Sequence, residues 1–191
     1  MKKKLSFIIV FCLLVIGFVF STNFNKTGET SINGILHTNV SADRKNYSSV
    51  EDLKKNSDIV VMGTIKGKLK SYNLNRNSNS EIVILGTDYE FEVQRYLKGA
   101  GDKTIIVIQE GGQTDKEIQI FDDRTEMDIN GKYFLFLNKV PDVDKYRFGG
   151  NPYKFKVSNG KVKVDAGDDF LMNQIFPQKS MAEFISKVES N

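Results

Sequence analysis

Between residues 59 and 164 the chain consists of short apolar or alternating runs that are separated by turn residues. Runs of this length that are rich in β-branched and aromatic residues predict strands rather than helices. Because no helical pattern lies between them, the strands are expected to pair in an antiparallel sheet that is closed or sandwiched. The predicted strands include residues 59–65, 88–98, 104–109, 117–121 and 132–137.

Two of the predicted strand regions alternate clearly between apolar and polar residues. In residues 88–98 the apolar positions are expected to share one face of a half-buried strand. In residues 153–164 aromatic and valine side chains alternate with lysines on either side of Asn159-Gly160, which predicts a hairpin whose lysines share one solvated face. The residues concerned are Tyr89, Phe91, Val93 and Leu97 in the first region, and Lys154, Lys156, Lys161 and Lys163 in the second.

A short helix is predicted at each end of this β region. Ser48 and Glu51 have the spacing of a capping box, and so do Ser180 and Glu183. The second helix is expected to turn Phe184, Ile185 and Val188 inward. The sequence thus predicts a mainly β fold. It would be a small antiparallel OB-like barrel with a short N-terminal and a short C-terminal helix, preceded by a single hydrophobic N-terminal helix.

The N-terminal residues 1–21 have the pattern of an export signal or membrane anchor. Three lysines precede an apolar run at residues 5–20, and lysines in this position keep their end of the segment in the cytoplasm. Val19 and Ser21 offer small residues for cleavage after Ser21, whereas the bulky Phe18 and Phe20 favour a retained anchor. Both forms place the rest of the protein outside the cytoplasm, either anchored in the membrane through residues 5–20 or secreted.

Removing the export segment changes what the composition implies. It holds three of the 27 basic residues and no acidic one, so the remainder has 24 basic and 24 acidic residues. A neutral domain lacks the basic surface that nucleic-acid binding needs. The only cysteine, Cys12, lies within the apolar run and is interpreted as a small apolar residue of that segment. The exported part therefore has no cysteine, which excludes disulfides, thiol catalysis and cysteine-based zinc sites from it.

The exported part divides into a predicted flexible linker, residues 22–46, and a predicted folded domain, residues 47–191. The linker is polar and aperiodic, and such a stretch buries too little apolar surface to offset the entropy of ordering. The only histidine, His37, lies in this linker, where a solvated side chain is expected. A linker histidine cannot be the fixed base of a catalytic triad.

Three motifs occur along the β region at a characteristic spacing, namely Ser57 to Ile65, Tyr89 to Gly99 with its Leu-Lys-Gly corner, and Gly131 to Leu137. Through these motifs, residues 47–164 resemble the OB-fold domain of netrin-like modules and tissue inhibitors of metalloproteinases, as found in bacterial exported proteins of unknown function. The resemblance implies a fold rather than a chemistry. The inhibitors place an N-terminal cysteine pair on the protease zinc, and this chain has no cysteine there.

No catalytic, cofactor-binding or metal-binding motif is present, so the sequence predicts no cofactor and no enzyme activity. Two acidic clusters are read as solvated loops, with Ca²⁺ binding as the alternative because Ca²⁺ takes oxygen ligands. Four aromatic residues form a weak candidate ligand face of the OB type, with core packing as the alternative. The acidic residues are Asp122, Asp123, Glu126, Asp128, Asp165, Asp168 and Asp169, and the aromatic residues are Tyr146, Phe148, Tyr153 and Phe155.

These observations predict an extracytoplasmic, non-enzymatic binding or interaction module, membrane-tethered or secreted, whose ligand the sequence does not specify. An envelope or extracellular protein is the expected kind of partner, and nucleic acid is not expected. The alternatives are a protease-inhibitor-like protein without the cysteine wedge, and a Ca²⁺- or carboxylate-dependent enzyme of the cell envelope. The oligomeric state is not predicted.

Overall fold

A computed structural model describes residues 24–32, 34–42, 45–75, 83–121, 125–150, 152–165 and 173–190. The predicted export segment and its hydrophobic helix therefore lie outside the described residues. The described part is mainly β, as predicted, with three short helices. Because the strands follow the apolar and alternating runs of the sequence, the fold class could be read from local patterns alone.

Twelve strands and three helices make up the described part of the chain. The strands are β1 (Phe24–Ile32), β2 (Ile35–Ala42), β3 (Ile59–Asn73), β4 (Leu85–Lys98), β5 (Thr104–Glu110), β6 (Gly112–Gln113), β7 (Glu117–Phe121), β8 (Lys132–Lys139), β9 (Tyr146–Phe148), β10 (Lys154–Ser158), β11 (Lys161–Val164) and β12 (Lys179–Ser180). The helices are α1 (Val50–Lys55), α2 (residues 173–175) and α3 (Met181–Glu189).

Eight strands form one sheet in the order β12-β11-β10-β8-β3-β4-β5-β9. Strand β9 also pairs with β8, so that β8, β3, β4, β5 and β9 form a closed ring. The pairing of β5 with β9 is parallel, whereas the other pairings in the ring are antiparallel. We refer to these five strands as the ring.

Residues 59–65 of β3 and residues 133–137 of β8 are buried on both faces of the sheet, because each of these stretches separates two apolar clusters. One cluster fills the inside of the ring, and the other lies on the outer face beneath α1 and α3. Alternate residues of each strand therefore enter different clusters, which explains why the sequence at 132–137 is continuously apolar. On β8, Tyr133, Leu135 and Leu137 face the inside of the ring, and Phe134 and Phe136 face the helices.

The prediction that Leu97 shares a face with Tyr89, Phe91 and Val93 is wrong. The other three pack inside the ring, whereas Leu97 packs against the cluster beneath the helices. Four register shifts interrupt the pairing of β3 with β4, and two of them lie between residues 60 and 63, opposite the part of β4 that leads to Leu97. Each such shift can turn the following side chains to the other face of the sheet.

Helix α1 begins one residue later than its sequence pattern predicts. Ser49, rather than Ser48, is the N-cap, and its hydroxyl oxygen accepts a hydrogen bond from the backbone N–H of Asp52. At the other end, the Lys98 ammonium donates to the carbonyl oxygens of Lys54, at 2.7 Å, and of Ser57. The lysine of the Leu-Lys-Gly corner thus places a cation against the carbonyl groups at the C-terminal end of α1, where positive charge is stabilising.

The C-terminal helix α3 forms as the sequence predicts. The Ser180 hydroxyl oxygen accepts from the N–H of Glu183, and the Glu183 carboxylate accepts from the N–H of Ser180, which completes a capping box. Phe184 and Val188 are buried, and Ile185 packs at the edge of the same cluster. Contact of Phe184 with Phe134 and Phe155 holds α3 against the sheet.

The prediction of a flexible linker at residues 22–46 is wrong for its described part. Strands β1 and β2 form a hairpin, and β2 pairs in parallel with β7, in a second sheet of order β1-β2-β7-β6. Its buried face holds Val40 and Phe121 against Ile84, with Thr38 and Gln119 also buried. The hairpin is ordered because β7 supplies backbone partners and apolar contacts from a distant part of the chain.

The hairpin of β10 and β11 is confirmed, but its lysines do not all share a solvated face. Lys161 and Lys163 are exposed, whereas Lys154 is completely buried. The segment that contains Thr125 crosses this face, and Thr125 and Asp165 surround the Lys154 ammonium. The lysine is therefore buried by parts of the chain outside the hairpin.

Candidate binding site

The structure separates the four aromatic residues that the sequence groups as a ligand face. Tyr146, Phe148 and Tyr153 belong to the cluster inside the ring, with the rings of Phe148 and Tyr153 4.3 Å apart. Phe155 lies on the other face, against Phe136, Phe176 and Phe184. All four are buried, so they do not form one exposed face. Of the four, Tyr146 lines a polar concavity at the surface.

This concavity, the basin, lies at the end of the ring at which β5 and β9 begin and β8 ends. Its volume is about 240 Å³, and its walls come from the β4–β5 turn, the first residues of β5 and the β8–β9 loop. Small-molecule pockets usually have volumes of about 300–1,000 Å³. The basin is thus sized for a single side chain or a small polar group.

The wall formed by the β4–β5 turn is held by a tyrosine. The Tyr96 hydroxyl donates to the carbonyl oxygen of Asp102 at 2.7 Å. A Cβ atom at Gly101 would lie 2.8 Å from the Tyr96 hydroxyl oxygen, so glycine allows this close approach. Burial raises the pKa of Tyr96, and the nearby Tyr146 and Asp102 raise it further. The hydroxyl therefore remains a hydrogen-bond donor at neutral pH, and the turn keeps its shape.

Three charged side chains from the described part of the chain line the basin. Asp102 is exposed on one wall, and Lys139 and Asp144 lie on the other, with 3.9 Å between the Lys139 Nζ and the Asp144 Oδ1. The Asp144 side chain is 81% exposed, so its ion pair with Lys139 is weak and leaves carboxylate oxygens accessible. Two carboxylates and one ammonium give the basin a net negative charge, which suits a ligand that donates hydrogen bonds or carries positive charge.

A second concavity of about 350 Å³ lies between α1, α3 and the segment at residues 174–177. Its aromatic residues are Phe155, Phe176 and Phe184, which are only 2%, 6% and 3% exposed. Because these rings are already packed against one another, the groove offers a ligand little apolar surface. We interpret it as the seam along which the helices pack on the sheet.

A cluster of polar side chains lies where β3 ends and β4 begins. It consists of Tyr72 on β3, Asp88 on β4 and Lys145, which directly precedes β9. The Lys145 Nζ lies 2.6 Å from the Asp88 carboxylate and 3.1 Å from the Tyr72 hydroxyl, which donates to Asp88 at 2.9 Å. Burial alone would lower the pKa of Lys145, but the hydrogen bonds to Asp88 and Tyr72 outweigh it and raise that pKa. Burial raises the pKa of Tyr72. Both groups hold their protons at neutral pH, which suits a structural role rather than proton transfer.

Lys154, which is completely buried, is the centre of a second charged cluster. Its Nζ donates to the Thr125 carbonyl at 2.8 Å, the Thr125 hydroxyl at 2.7 Å and the Asp165 carboxylate at 2.7 Å. Burial lowers the pKa of Lys154, and the Asp165 carboxylate opposes that shift. Three acceptors match the three donors of an ammonium group, and they favour its charged form. Such a lysine is held as a structural cation rather than as a nucleophile.

Gln109 lies close to this cluster and lines a small cavity of about 60 Å³. Its amide nitrogen donates to the Thr125 carbonyl at 2.9 Å, while its buried Oε1 has no hydrogen-bond partner among the described residues. The volume is sufficient for an ordered water molecule, which would satisfy this oxygen.

The described acidic residues of the two predicted clusters are engaged with lysines. Glu126 pairs with Lys68 at 2.8 Å, Asp128 with Lys156, and Asp165 with Lys154. The other four, Asp122, Asp123, Asp168 and Asp169, lie outside the described residues. Within the described ranges, no three His, Cys, Asp or Glu side chains converge as metal ligands would.

The single histidine, His37, lies on β2 rather than in a flexible linker. It is half-buried, and Thr30 of β1 and Ile118 of β7 flank it in the sheet. Its neighbours in the register are a threonine and an isoleucine, which provide no catalytic partner.

Comparison with known proteins gives no family for the chain. No protein-family model matches it, and no curated protein matches it either. Across the described parts of the chain, no helix combines the length and the apolar character that crossing a bilayer requires.

Sequence reasoning identified Tyr146 as a candidate but missed Asp102, Lys139 and Asp144. A signal for the two carboxylates exists in the sequence, because each ends a short turn-rich segment, Gly-Ala-Gly-Asp at 99–102 and Pro-Asp-Val-Asp at 141–144. Their convergence depends on closure of the ring between β5, β9 and β8, which local patterns do not reveal.

Proposed function

We propose that the protein is a non-enzymatic binding module that acts outside the cytoplasm, tethered to the membrane or secreted through its N-terminal segment. The observation that carries this proposal is the basin, a preformed concavity whose carboxylates converge with Tyr146 at one end of the ring. Export is supported by the lysines and the apolar run at residues 5–20. Lys145 and Lys154 are each held by hydrogen bonds within their own cluster. Such structural roles support binding rather than catalysis as the function of the protein.

We further propose that the ring is an OB-type barrel of the netrin-like kind. A five-stranded ring closed by one parallel pairing, β5 with β9, supports this assignment, since OB folds are five-stranded Greek-key barrels. The positions of α1 and α3 on one face of the sheet agree with the resemblance of residues 47–164 to netrin-like domains. In this arrangement the basin lies where two strand connections meet at one end of the barrel.

The chemistry of the basin favours a basic side chain of a partner protein as its ligand. Asp102 and Asp144 offer carboxylate oxygens on opposite walls, and the volume accommodates one long side chain. Hydrogen bonds between a carboxylate and a cationic side chain are among the stronger ones, with a net contribution of about 1.5–3 kcal/mol. An envelope or extracellular protein with an exposed lysine or arginine is therefore the proposed partner.

Affinity capture from an envelope fraction tests the proposal. The full chain in detergent is expected to capture a partner reproducibly, and Asp102→Asn with Asp144→Asn is expected to weaken that capture at least about tenfold. Asp142→Asn is the matched control, since Asp142 lies in the same loop as Asp144 without lining the basin. Asp142 has a left-handed backbone, φ 62°, which asparagine also tolerates.

Two results would contradict this function. If no protein is captured from envelope or extracellular fractions, the chain does not act as a protein-binding module. If the double variant and the control capture equally well, binding occurs elsewhere and the basin is not the site.

A further inference from the structure

The four-stranded sheet has one face that no described part of the protein covers. Ile32 and Ile120 are each 52% exposed on this face, and Ile35 and Ile118 are partly exposed. The pairings of Ile32 with Ile35, of Thr30 with His37 and of His37 with Ile118 place these side chains on the same side of the sheet. We refer to the surface of Ile32, Ile35, His37, Ile118 and Ile120 as the isoleucine face.

The opposite face of the same sheet is the one that packs against the rest of the protein. Thr38 and Gln119 are 1% and 3% exposed, and Val40 and Phe121 belong to a buried cluster with Ile84. Since neighbouring residues of a strand point to opposite faces, the isoleucine face cannot contribute to that cluster. The exposed isoleucines therefore do not stabilise the fold through that cluster. Contiguous apolar patches at a protein surface often mark interaction sites.

The isoleucine face also lacks charged residues. The chain as a whole is 27% Asp, Glu, Lys and Arg, whereas none of the nine positions with described side chains that the register places on this face carries one of them. A surface that faces only water would normally carry such residues. The nine positions are Gly28, Thr30, Ile32, Ile35, His37, Asn39, Gln113, Ile118 and Ile120.

The position of this sheet along the chain points to what covers the face. Strand β1 begins at Phe24, four residues after Phe20, the last residue of the apolar run at 5–20. Four residues span at most about 14 Å. The interfacial region on each side of a bilayer is about 5–8 Å thick. If residues 5–20 remain in the membrane, the start of β1 must therefore lie at or immediately beside the bilayer surface.

We propose that the isoleucine face lies flat on the outer surface of the bilayer, with the four strands parallel to the membrane plane. This inference rests on the tethered form of the proposed function. A sheet that lies flat has its midplane about 5 Å above the surface that it contacts, which the tether of about 14 Å allows. Ile120 then lies near the anchor, and Ile32, at the far end of β1, extends the contact along the strand.

Membrane contact of this kind depends on apolar burial rather than on charge. The face offers no lysine or arginine to anionic headgroups, so electrostatic attraction contributes little to its binding. Its isoleucines would enter the boundary between headgroups and acyl chains, as the apolar residues of interfacial segments do. We therefore expect contact with a zwitterionic bilayer, and we expect that contact to persist at high salt.

Site-specific fluorescence in reconstituted vesicles tests the inference. The full chain with Cys12→Ser has no other cysteine, so Ile32→Cys or Ile120→Cys can carry one environment-sensitive dye. In phosphatidylcholine vesicles that contain lipids with a shallow nitroxide quencher, we expect both positions to be quenched at low and at high salt. The matched control is Val143→Cys, because Val143 is 46% exposed in the β8–β9 loop, away from the sheet, and should not be quenched.

Three results would overturn the inference. Unquenched dyes at both positions 32 and 120, on a chain that stays with the vesicles, exclude contact of this face with lipid. Quenching at 120 without quenching at 32 means that the tether alone holds the sheet near the membrane. Excimer emission from pyrene, when pyrene is the dye attached at position 120, means that a second copy of the chain covers the face.

The same samples separate this inference from the proposed function. If the chain washes off the vesicles, residues 5–20 do not anchor it, and the flat orientation fails together with the tethered form. Capture of a partner by the basin does not depend on lipid and is measured in detergent. A chain that captures its partner but shows no quenching therefore keeps the binding function and loses only the membrane contact.

Discussion

The two sheets of this protein obtain their order in different ways. In the larger sheet, residues 59–65 of β3 and residues 133–137 of β8 are buried on both faces, and each face belongs to an extensive apolar cluster. The four-stranded sheet buries only one face, over Val40, Ile84 and Phe121, with polar Thr38 and Gln119 among them. The strands of the larger sheet are strongly apolar, so their sequence pattern predicts them. Strands β1 and β2 of the four-stranded sheet are polar, and they are ordered because the distant strand β7 pairs with β2.

The largest expected effect concerns the close packing of β3 in the ring. An added Cβ at Gly63 would lie 2.1 Å from the Glu92 carbonyl oxygen and 2.7 Å from the Phe91 ring. We expect Gly63→Ala to lower the free energy of unfolding by about 4 kcal/mol, because backbone atoms cannot move aside as a side chain can. Urea denaturation measures this change.

Gly67→Ala is the control for that substitution on the same strand. Its Cβ would meet only Leu69, at 3.9 Å, which is an ordinary contact. We expect a change of less than about 1 kcal/mol. Equal effects at positions 63 and 67 would show that the strain lies in the strand in general and not in the close packing at Gly63.

The next largest effect concerns the buried ammonium of Lys154. Among the described residues, Asp165 supplies the one carboxylate that the Lys154 ammonium contacts. Asp165→Asn therefore leaves this fully buried cation with only neutral described partners, the two oxygens of Thr125 and the new amide. Breaking a buried ion pair in this way costs about 3 kcal/mol. Thermal denaturation against Asp128→Asn provides the comparison, since Asp128 and Lys156 are half exposed and their pair is worth at most about 1 kcal/mol. A similar loss of stability in Asp165→Asn and Asp128→Asn would contradict the expectation that burial makes the Lys154–Asp165 ion pair the more stabilising of the two.

The cluster at Lys145 is expected to contribute less, and its contribution depends on pH. Its raised pKa means that the folded state holds the proton more tightly than the unfolded state does. The stabilisation is therefore complete below the ordinary value of 10.5 and is lost as the pH rises through the higher folded-state pKa. We expect Lys145→Met to cost about 2 kcal/mol at pH 7, because Asp88 is left buried without its cation.

Chemical denaturation from pH 7 to pH 12 measures this dependence. The difference in stability between the wild type and Lys145→Met should shrink above pH 10.5. Lys68→Met serves as the control, because its partner Glu126 is exposed and the pair contributes little. A difference that stays constant up to pH 12 would mean that Lys145 stabilises the fold by packing on Tyr72 and not by its charge.

The smallest expected effect is local to the boundary between the two sheets. The Gln119 side chain accepts from the Leu85 N–H at 2.7 Å and donates to the Val83 carbonyl at 2.9 Å. Gln119→Leu leaves both backbone groups without these partners, at a cost of roughly 1–2 kcal/mol. Hydrogen exchange should therefore speed up in β1, β2 and β7 while the amides of β3 and β8 stay protected.

Gln113→Leu is the comparison for Gln119→Leu, since Gln113 is exposed on β6 and its side chain joins no strand of the larger sheet. We expect no change in exchange from this variant. Faster exchange throughout β3 and β8 in Gln119→Leu would mean that the two sheets unfold as one unit, which would contradict the difference drawn between them.

The larger sheet could be predicted from the sequence because its signals are local. The strands at 59–65, 104–109 and 132–137 follow from runs of β-branched and aromatic residues, and α3 follows from its capping box. The sequence predicted Ser48 as the N-cap of α1, whereas the structure has Ser49 there. Two adjacent serines offer the same side-chain chemistry, and the backbone conformation decides which of them caps the helix. Leu97 was misplaced because register shifts in the pairing of β3 with β4 do not leave a distinct sequence pattern.

The candidate site could be predicted only in part. Tyr146 was identified because aromatic residues near a strand are visible in the sequence, but its grouping with Phe155 was wrong because the two lie on opposite faces of the sheet. Asp102 and Asp144 are separated by more than 40 residues and line one basin only because β5 pairs with β9.

The sequence by itself determined the mainly β class, the two terminal helices of the folded region and the tight turns, since each depends on neighbouring residues. It also determined the neutral, cysteine-free character of everything after residue 21. Only the tertiary structure decided that residues 24–32 and 35–42 are strands, that Lys154 is buried and that the basin exists. Each of these depends on contacts between distant segments, and the free energy of such contacts is set by which surfaces meet and not by local sequence.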